Sequence, residues 1–536
     1  MQEFIAKYQD RILGTLSGFD RVIFRGSLRR LNYGWWDGKL QARVALGMEQ
    51  YLGQNQVLFK NYREHVKKVS EAIKERSVGP FREKGLPVEF VRSPKIDKDE
   101  MARGIAQQRG IASGPVCVLA AMELTPTFAH RGTHMVMDVR PCQVLYHYQI
   151  HPEVGWMHAR IQTWFPFHVQ IAINGREWLA RQMQRIGLGY RQEGNCFVWI
   201  EDYARAQQLM NQQLEMNWAE LLGAVGEGLN PLHEEIFARY ETRYYWTCYQ
   251  SEWATDLVFR EATDLQRLMP KFLRHGLLTY SCRDVLRYFS KPVKRNGDVP
   301  GHFRGNVQAD LKQKRQGERI KYWMNGNSLK SYDKAYSETG SVLRGAETTI
   351  NQVKGLRAYR PKEGGLEEDL AWRPLRKGIA DLHRRTEISQ RANERLLNAL
   401  ASVDDNRTLQ ELTAPLQRPV VWNGRRVRAL RPLGEDQALL AAVEHGDFLV
   451  NGFRNRDLQT LLYAQPAIAS TERRRRSAAI SRKLRMLRAH GLIRKVPRTH
   501  RYHVTESARP ILAASPEKSL GRTPKAFPES GPDIWR

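Results

Sequence analysis

The chain has 536 residues, 41% of them hydrophobic and 26% charged, so it is long enough for about two to four folded domains and too apolar for a disordered polyelectrolyte. Its 85 Lys and Arg against 57 Asp and Glu leave a net charge of +28, which indicates a polyanionic partner, above all nucleic acid. Because no run of about 18 apolar residues occurs and charges are spread through the first 30 residues, we expect neither a membrane-spanning helix nor a secretory signal. A cytoplasmic protein with no membrane partner is the expectation.

Strands and helices alternate through the first half of the chain. Residues 14–31 (GTLSGFDRVIFRGSLRRL) predict a strand, and residues 41–59 predict a helix. From Pro87 onward a strand, an amphipathic helix and an apolar strand predict a βαβ unit. Several strands follow from about Thr127 to Ile173, so the core is expected to be α+β, with a mixed or antiparallel sheet.

The second half of the chain begins with the same alternation and continues with two further elements. Residues 174–187 predict a helix that ends at glycine, and residues 196–200 and 202–214 predict a strand and a helix. Residues 328–350 predict a β-hairpin, and residues 375–403 predict a long helix with an interrupted apolar stripe.

The cysteines do not form a recognisable framework. They are odd in number, lie far apart and contain no C-x-x-C pair, which argues against disulfides and a zinc ribbon. We expect free, mostly buried thiols at Cys117, Cys142, Cys196, Cys248 and Cys282.

The clearest single module lies near the C-terminal end. Residues 435–448, 451–463 and 473–492 predict three helices, and residues 492–504 (LIRKVPRTHRYHV) predict two strands around a basic turn. This order resembles the winged helix-turn-helix family over residues 435–512. The resemblance implies that the third helix enters a major groove and that the wing reaches the DNA backbone or the minor groove.

The third helix of this module has one apolar side and many basic residues. Ile480, Leu484 and Leu487 fall at i, i+4 and i+7 and are expected to pack inward. The alternative is a winged helix that binds protein instead of DNA. The residues left available for phosphates or base edges are Arg473, Arg474, Arg475, Arg476, Arg482, Lys483, Arg485 and Arg488 on the helix and Arg498 and Arg501 in the wing.

Composition and element order predict a multidomain protein with five segments. They are an N-terminal α/β domain (1–125), a central α+β nucleic-acid-binding domain that is a candidate for catalysis (126–360), a linker with the long helix (361–430), the winged-helix domain (431–512) and a disordered tail (513–536).

The hairpin at residues 328–350 carries side chains that a purely structural hairpin does not need. Residues two apart on a strand share a face, so Lys330, Tyr332 and Lys334 are expected to point the same way. Neighbouring ammonium groups favour the phenolate, which is the form that a nucleophile for phosphoryl transfer requires. Tyr332 is therefore the candidate nucleophile, and its rivals are Tyr336, Tyr244 and Tyr245.

The return strand supplies two more groups. Arg344 and Glu347 are three apart, and a bulge at Gly345-Ala346 would bring them onto one face. A tyrosine, an arginine and a carboxylate are the components of a metal-dependent strand-cleaving site. The predicted catalytic residues are Tyr332, Arg344 and Glu347, with Lys330 and Lys334 on phosphate. The alternative is that the hairpin only builds a basic nucleic-acid surface.

A possible metal site comes from the segment QTWFPFHVQIAIN (162–174). His168 and Gln170 share a face of a predicted strand and can both reach one divalent cation. This segment and the Tyr332 hairpin resemble the HUH endonuclease domains of rolling-circle replication initiators, although Gln170 stands in place of a second histidine. The resemblance implies Mg²⁺ or Mn²⁺ held by His168, Gln170 and Glu347.

Another predicted hairpin, YHYQIHPEVGWMHARIQTW (146–164), combines aromatic rings with polar side chains. It favours a strand surface that touches phosphates through Arg160 and stacks bases. A metal held by His151 and His158 across the turn is the alternative.

These patterns together predict a nucleic-acid-binding protein of a mobile or replicating genetic element, with metal-dependent DNA strand cleavage through Tyr332 as the hypothesis for its chemistry. Two other classes stay open. One is a non-enzymatic ribonucleoprotein component that clamps structured RNA, and the other is a winged-helix transcription regulator. Sequence does not separate DNA from RNA, since both present phosphate first, and it leaves the oligomeric state open.

Overall fold

The structure is a computed structural model that divides into two compact units. The first contains Met1–Met269, Tyr288–Lys291 and Arg304–Leu397, and the second contains Pro270–Arg287, Pro292–Phe303 and Asn398–Arg536. The residues described here are 1–29, 45–279, 286, 288–289, 312–314, 317–324, 326–337, 340–362, 365, 368–401, 413–432, 434–443, 452–463, 465, 467, 469–496, 499–505, 508 and 512.

The strands in chain order are β1 (Ile12–Leu28), β2 (Val88–Phe90), β3 (Gly114–Arg131), β4 (His134–His151), β5 (Gly155–Gln162), β6 (Val169–Asn174), β7 (Tyr190–Glu193), β8 (Cys196–Ile200), β9 (Tyr244–Phe259), β10 (Lys312–Lys314), β11 (Gly317–Met324), β12 (Asn327–Ser337), β13 (Gly340–Ile350), β14 (Arg357–Arg360), β15 (Ala371–Pro374), β16 (Val420–Trp422), β17 (Arg425–Val427), β18 (Ile493–Lys495) and β19 (Tyr502–Val504).

The helices are α1 (Gln2–Lys7), α2 (Leu46–Gln54), α3 (Tyr62–Glu83), α4 (Lys98–Gln108), α5 (Gly175–Arg185), α6 (Tyr203–Asn211), α7 (Trp218–Leu229), α8 (His233–Ile236), α9 (Ala262–Thr279), α10 (Leu382–Leu400), α11 (Gln437–Val443), α12 (Asn455–Leu462) and α13 (Ser470–Ala489). A large mixed sheet with helices confirms the predicted mixture of α and β structure.

The first unit is built on one eleven-stranded sheet, in the order β10-β11-β12-β13-β9-β1-β6-β5-β4-β3-β2. Only β2 and β3 run parallel, and α4 connects them, so the predicted βαβ unit is confirmed. The Asp97 side chain begins α4 by accepting hydrogen bonds from the backbone of Asp99 and Glu100.

Strand β1 lies in the centre of this sheet and shows why its two faces differ. Its residues alternate, so Val22, Phe24 and Leu28 are buried while Arg21 is exposed on the opposite face. The buried side chains join the main apolar core of the unit, which also takes in aromatic and aliphatic residues of α2, α3, α5 and α7. One face of the central strands is therefore covered by helices.

Several predicted boundaries shift in the structure. The helix predicted over 41–59 ends at Gln54 in α2, and residues 41–44 lie outside the described residues. The long helix predicted over 375–403 is α10, preceded by a short 3₁₀ turn. The predicted domain boundary after residue 125 falls inside β3, whose 18 residues pair with β4 along their whole length. Periodicity locates apolar runs, but it does not show how far a strand continues through polar residues such as those of β4.

The second unit contains α11, α12, α13 and the β18–β19 hairpin in the predicted order, preceded by the small β16–β17 hairpin. Its core includes Leu439, Leu458, Ile480, Leu484 and Leu487, so the apolar stripe predicted for α13 does face inward. The predicted tail at residues 513–536 lies outside the described residues.

Two further predictions can be compared with the described part of the chain. Cys117, Cys142, Cys196 and Cys248 are free and buried, as predicted, and Cys282 lies outside the described residues. Among the helices that the structure describes, none is both long and apolar enough to cross a bilayer.

Gly175 provides a test of the packing between α5 and β1. A Cβ at this position would lie 2.2 Å from the backbone oxygen of Phe19, which a side-chain rearrangement cannot relieve. We expect Gly175→Ala to lower the free energy of unfolding of the first unit by about 1–3 kcal/mol, measured by urea titration. Gly223→Ala is the matched control, because Gly223 lies inside α7 with open space around it and should gain up to about 1 kcal/mol. Equal effects of both substitutions would contradict the proposed close contact.

Candidate functional site

The β12–β13 hairpin contains the predicted bulge. Lys330 is opposite Glu347 and Tyr332 is opposite Arg344, so two residue steps on β12 match three on β13. The extra residue lies at Gly345-Ala346, and the same shift appears in the pairing of β13 with β9. A Cβ on Gly345 would lie 2.3 Å from Leu257 Cδ1, which explains why the bulge carries a glycine.

The bulge brings four of the predicted side chains into contact. Tyr332 Oη donates a hydrogen bond to Glu347 Oε2 at 2.7 Å, and Lys330 Nζ donates to Glu347 Oε1 at 2.5 Å. Arg344 Nη1 lies 3.3 Å from Glu347 Oε2 and 3.4 Å from Tyr332 Oη. The predicted catalytic residues Tyr332, Arg344 and Glu347 therefore form one cluster. We call these residues, with Lys330, Asp20 and Asp256, the Arg344 cluster.

Arg344 is the centre of this cluster and has no exposed surface. Its Nε and Nη2 donate to the two oxygens of Asp256 on β9 at 2.7 and 3.2 Å, the bidentate geometry that suits a guanidinium. Its Nη1 pairs with Asp20 on β1, and its Nη2 donates to the backbone oxygen of Asn195 at 3.2 Å. Three neighbouring strands and the β7–β8 turn thus converge on one side chain.

Sequence reasoning did not connect Asp20, Asp256 and Arg176 with this site. Arg176 on α5 is also fully buried, and its Nη2 lies 2.9 Å from Asp256 Oδ2. The available signal was the presence of single charges inside apolar runs, such as Asp256 within WATDLVF, because a buried charge needs a partner. The partners themselves are distant in sequence and could not be assigned.

The electrostatics of the cluster oppose the predicted phenolate. Burial raises the pKa of Tyr332 well above its usual value, and the nearby Glu347 carboxylate raises it further against the effect of Arg344. Although burial alone would raise it, Lys330 and Arg344 hold the pKa of Glu347 below its ordinary value. The stable state is a neutral phenol that donates to an ionised carboxylate, so the prediction of a lowered phenol pKa was wrong.

The two lysines predicted to bind phosphate are turned into the protein. Lys334 is buried, with its Nζ 5.7 Å from the centre of the Tyr332 ring. The Lys330 side chain is 15% exposed and is paired with Glu347. Lys330 is neutralised by a carboxylate and Lys334 is buried, so this arrangement does not present the hairpin as a basic surface.

The structure separates the predicted metal ligands His168 and Gln170 from Glu347. Glu347 pairs with Ala254, which is opposite Gly18 of β1, whereas Val169 between the other two is opposite Gly26. Eight residues of β1 correspond to roughly 25 Å, so the three side chains cannot bind one ion. Within the described ranges, no group of three or more His, Cys, Asp or Glu side chains could hold a metal.

His168 and Arg160 have internal roles instead. His168 is buried beside β1, where its Nδ1 lies 3.2 Å from Ser27 Oγ, and burial together with Arg25 and Arg160 lowers its pKa well below the usual value. Arg160 donates from Nε and Nη2 to Glu123 Oε2 at 3.0 and 2.8 Å, with its side chain 8% exposed. Arg160 is therefore not an exposed phosphate ligand, contrary to the prediction.

The structure also bears on the alternative metal site at His151 and His158 and on the rival nucleophiles. His151 pairs with Gly155 and His158 with Tyr148, so the two imidazoles are three residue pairs, or roughly 10 Å, apart along β4 and β5. Of the rival nucleophiles, Tyr244 is tied to the backbone oxygen of Phe167 at 3.0 Å and Tyr245 is 39% exposed. The side chain of Tyr336 lies outside the described residues.

The second candidate site is the exposed side of α13. Arg474, Arg475, Arg482 and Arg485 are exposed on the side of the helix away from the buried apolar stripe, and Arg473 is exposed in the i, i+7 row of Ile480. Three of them, at positions 474, 482 and 485, follow the i, i+8, i+11 spacing that places side chains on one helical face. We call these three residues the α13 basic face.

Five of the other predicted basic residues contact other side chains or are half-buried, and Arg473 is exposed. Arg475 and Arg476 each lie 2.8 Å from Glu472, and the Arg476 guanidinium also covers the Tyr463 ring at 4.5 Å. Arg488 covers the Trp422 ring at 4.9 Å. Lys483 and Arg501 are half-buried, and Arg498 lies outside the described residues. The α13 basic face is thus the part of the predicted surface that is exposed, lies opposite the apolar stripe and does not pair with Glu472.

Charge is concentrated in the same region of the chain. Residues 413–512 contain 20 Lys and Arg against 7 Asp and Glu, which is close to half of the net charge of +28 in less than a fifth of the chain. A local excess of this size attracts a polyanion more strongly than the average composition does.

Comparison of the chain with family models, with curated proteins and with solved structures gives no match.

The Arg344 cluster can be tested through Glu347. Glu347→Gln removes the charge that compensates Lys330 and Arg344 while keeping the side-chain shape, and leaving buried cations uncompensated is costly. We expect the free energy of unfolding of the first unit to fall by about 3 kcal/mol, measured by urea titration. The control is Glu71→Gln on α3, whose ion pair with Lys67 is exposed and should contribute nothing measurable. A Glu347→Gln protein as stable as the control variant would show that the cluster does not support the fold.

Proposed function

We propose that this protein binds nucleic acid through its C-terminal unit, with α13 as the helix in contact with duplex DNA. The observation that carries the proposal is the α13 basic face, three outward arginines on a helix whose opposite side is fixed in an apolar core. A helix held in this way can be presented to a major groove, and its guanidinium groups suit phosphates and guanine edges.

The arrangement of the unit supports a winged helix in particular. Helices α11, α12 and α13 are followed by the β18–β19 hairpin, which takes the place of the wing. Phe453, between α11 and α12, pairs with Tyr502 through two backbone hydrogen bonds of 2.9 and 2.8 Å and so adds a short third strand to the hairpin. Asn455 at the start of α12 donates to the backbone oxygen of Ser477 at 2.8 Å, which fixes the angle between α12 and α13.

The α13 basic face predicts a strong dependence of binding on salt. Removing two of its charges in Arg482→Gln/Arg485→Gln should weaken duplex binding at least about fivefold for each arginine. The slope of the logarithm of the binding constant against the logarithm of salt concentration should become shallower by about 2, because fewer counterions are released. Fluorescence anisotropy with a labelled duplex over a range of salt concentrations measures both quantities.

The control removes the same charge from another exposed helix. Arg63 and Arg82 lie exposed on α3 in the first unit, so Arg63→Gln/Arg82→Gln changes the net charge equally. If both double variants bind duplex DNA equally, the contact is non-specific charge attraction and the proposed role of α13 is wrong. Binding of folded RNA but not of duplex DNA by the unchanged protein would favour the ribonucleoprotein alternative.

Strand cleavage by Tyr332 is a second candidate function, and one observation favours it. The Tyr332 hydroxyl, the Glu347 carboxylate and the Arg344 guanidinium meet within 3.4 Å of one another. Burial and the raised pKa of the phenol count against it, since a nucleophile must reach phosphorus and lose its proton. A role in a mobile or replicating genetic element is part of this second proposal, because it rests on the same resemblance to replication initiators.

The cleavage hypothesis has a direct test in Tyr332→Phe, which removes the reacting oxygen and keeps the ring. If Tyr332 is the nucleophile, incubation with magnesium or manganese nicks supercoiled or single-stranded DNA with the unchanged protein and not with the variant. Glu347→Asp serves as a second variant that retains the charge. Nicking that survives Tyr332→Phe would show that Tyr332 is not the nucleophile, and the exposed Tyr245 would then be the candidate.

A further inference from the structure

In the described part of the chain, the helices leave uncovered the part of the central sheet around Arg25, which carries an unusual set of side chains. Directly paired residues on neighbouring strands share a face, and Arg25 is opposite both Gln170 of β6 and Thr247 of β9. Ser27, on the same face of β1, is opposite Tyr245. This face, formed by β9, β1 and β6, is called the open sheet face below. The five residues named above are exposed or half-buried, whereas Val22, Phe24 and Leu28 on the other face of β1 are buried.

Two tyrosines of β9 are exposed at this surface. Tyr249 is 44% exposed and Tyr245 is 39% exposed, although both lie in a central strand of a large sheet. Tyr249 is the extra residue of a bulge, because Ile23 is opposite Gln250 while the next residue, Phe24, is opposite Cys248. Bulges re-aim side chains, and here the bulge turns an aromatic ring into solvent.

Each tyrosine is accompanied by an arginine. The Arg25 guanidinium lies 5.7 Å from the centre of the Tyr249 ring, and that of Arg29 lies 5.2 Å from the Tyr245 ring. Arg21 is also on this face, but it is 3.3 Å from Glu252 and so partly neutralised. The surface therefore repeats one unit, an exposed ring next to a cation, at two points about four residues apart on β9.

The interior edge of the surface has two nitrogen atoms that lack partners. Arg25 Nε and His168 Nε2 are buried, and neither has a hydrogen-bond partner in the described part of the chain. Burial and the positive charge of Arg160 lower the pKa of Arg25, so this guanidinium lies in an environment short of negative charge. A phosphate bound beside the half-buried Arg25 guanidinium would supply the missing negative charge.

We propose that the open sheet face binds single-stranded nucleic acid, with bases stacked on Tyr245 and Tyr249 and the phosphate backbone held by Arg25 and Arg29. Aromatic rings beside cations on a sheet are suited to a single strand, because its bases expose the faces that a duplex hides by stacking. Any base has such a face, and binding here depends little on sequence. This site is separate from the α13 basic face and does not depend on the proposal made for that helix.

The first experiment removes the rings. Tyr245→Leu/Tyr249→Leu should weaken binding of labelled oligo-dT or oligo-U of about 15 nucleotides by about 5- to 150-fold for each stacked base, measured by fluorescence anisotropy with the full chain. Tyr245→Phe/Tyr249→Phe keeps the rings and should bind as the unchanged protein does. Comparing the two oligonucleotides distinguishes DNA from RNA, since only RNA offers the 2′-hydroxyl.

Two control variants locate the effect. Trp199→Leu removes a ring of similar exposure, 43%, from β8 and should leave single-strand binding unchanged. A cavity of about 320 Å³ elsewhere in the first unit is the competing location, because its lining includes the exposed rings of Tyr359 and Trp372 beside Arg357 and Arg384. Tyr359→Leu/Trp372→Leu should likewise retain single-strand binding if the open sheet face is the site.

The outcomes are separable from those for α13. The leucine double variant should lose single-strand binding and keep duplex binding, and Arg482→Gln/Arg485→Gln should do the reverse. The proposal is overturned if the unchanged protein binds neither oligonucleotide, if the phenylalanine variant loses as much affinity as the leucine variant, or if only the Tyr359/Trp372 variant loses it. Thermal unfolding of each variant, unchanged in midpoint, shows that the losses are not losses of folding.

Discussion

The first unit depends on the compensation of a single buried cation. Arg344 has no exposed surface, and a guanidinium that leaves water without anionic partners is strongly disfavoured. Asp20 on β1 and Asp256 on β9 supply the charges, and the Asn195 carbonyl accepts a further hydrogen bond. The bidentate contact with Asp256 fixes the register of β13 against β9, because a shift of one residue would point Arg344 to the other side of the sheet. The bulge at Gly345, the orientation of Tyr332 and the pairing of Lys330 with Glu347 all follow from this placement.

The burial of Arg344 explains why the grouping of Tyr332, Arg344 and Glu347 could be predicted from the sequence, whereas their buried environment could not. Period-two alternation and the glycine at position 345 were enough to place Tyr332, Arg344 and Glu347 together. Alternation indicates which residues share a face, but it does not indicate whether that face is exposed to solvent or buried. The β7–β8 hairpin, from a part of the chain about 150 residues earlier, covers the cluster and changes a potential phosphate surface into a buried ion network.

In the rest of the fold, too, local elements could be predicted from the sequence and contacts between distant segments could not. Local signals located β1, the βαβ unit, α5, α10 and the three helices of the C-terminal unit, since each has a clear apolar period or a capping residue. Contacts between segments distant in the chain could not be predicted from the sequence. Arg160 was expected on a surface because arginine usually lies there, and only the structure shows that Glu123, 37 residues earlier in the chain, meets it across the sheet. His168 and Gln170 were expected to meet Glu347, and their separation along β1 depends on strand order, which no local pattern encodes.

The position of β1 between β9 and β6 has a consequence for how the chain reaches this structure. Residues 12–28 are made well before residues 244–259, which form one partner of this strand. At about 5–20 residues per second, synthesis of the intervening chain takes roughly ten seconds to a minute, during which an apolar, β-prone segment stays incomplete. Its unpaired edge is then a hazard for association with other nascent chains, and pairings of such long sequence separation fold slowly. The alternating arginines of β1, which the finished protein displays on the open sheet face, also keep this early segment charged while it waits for its partner strand.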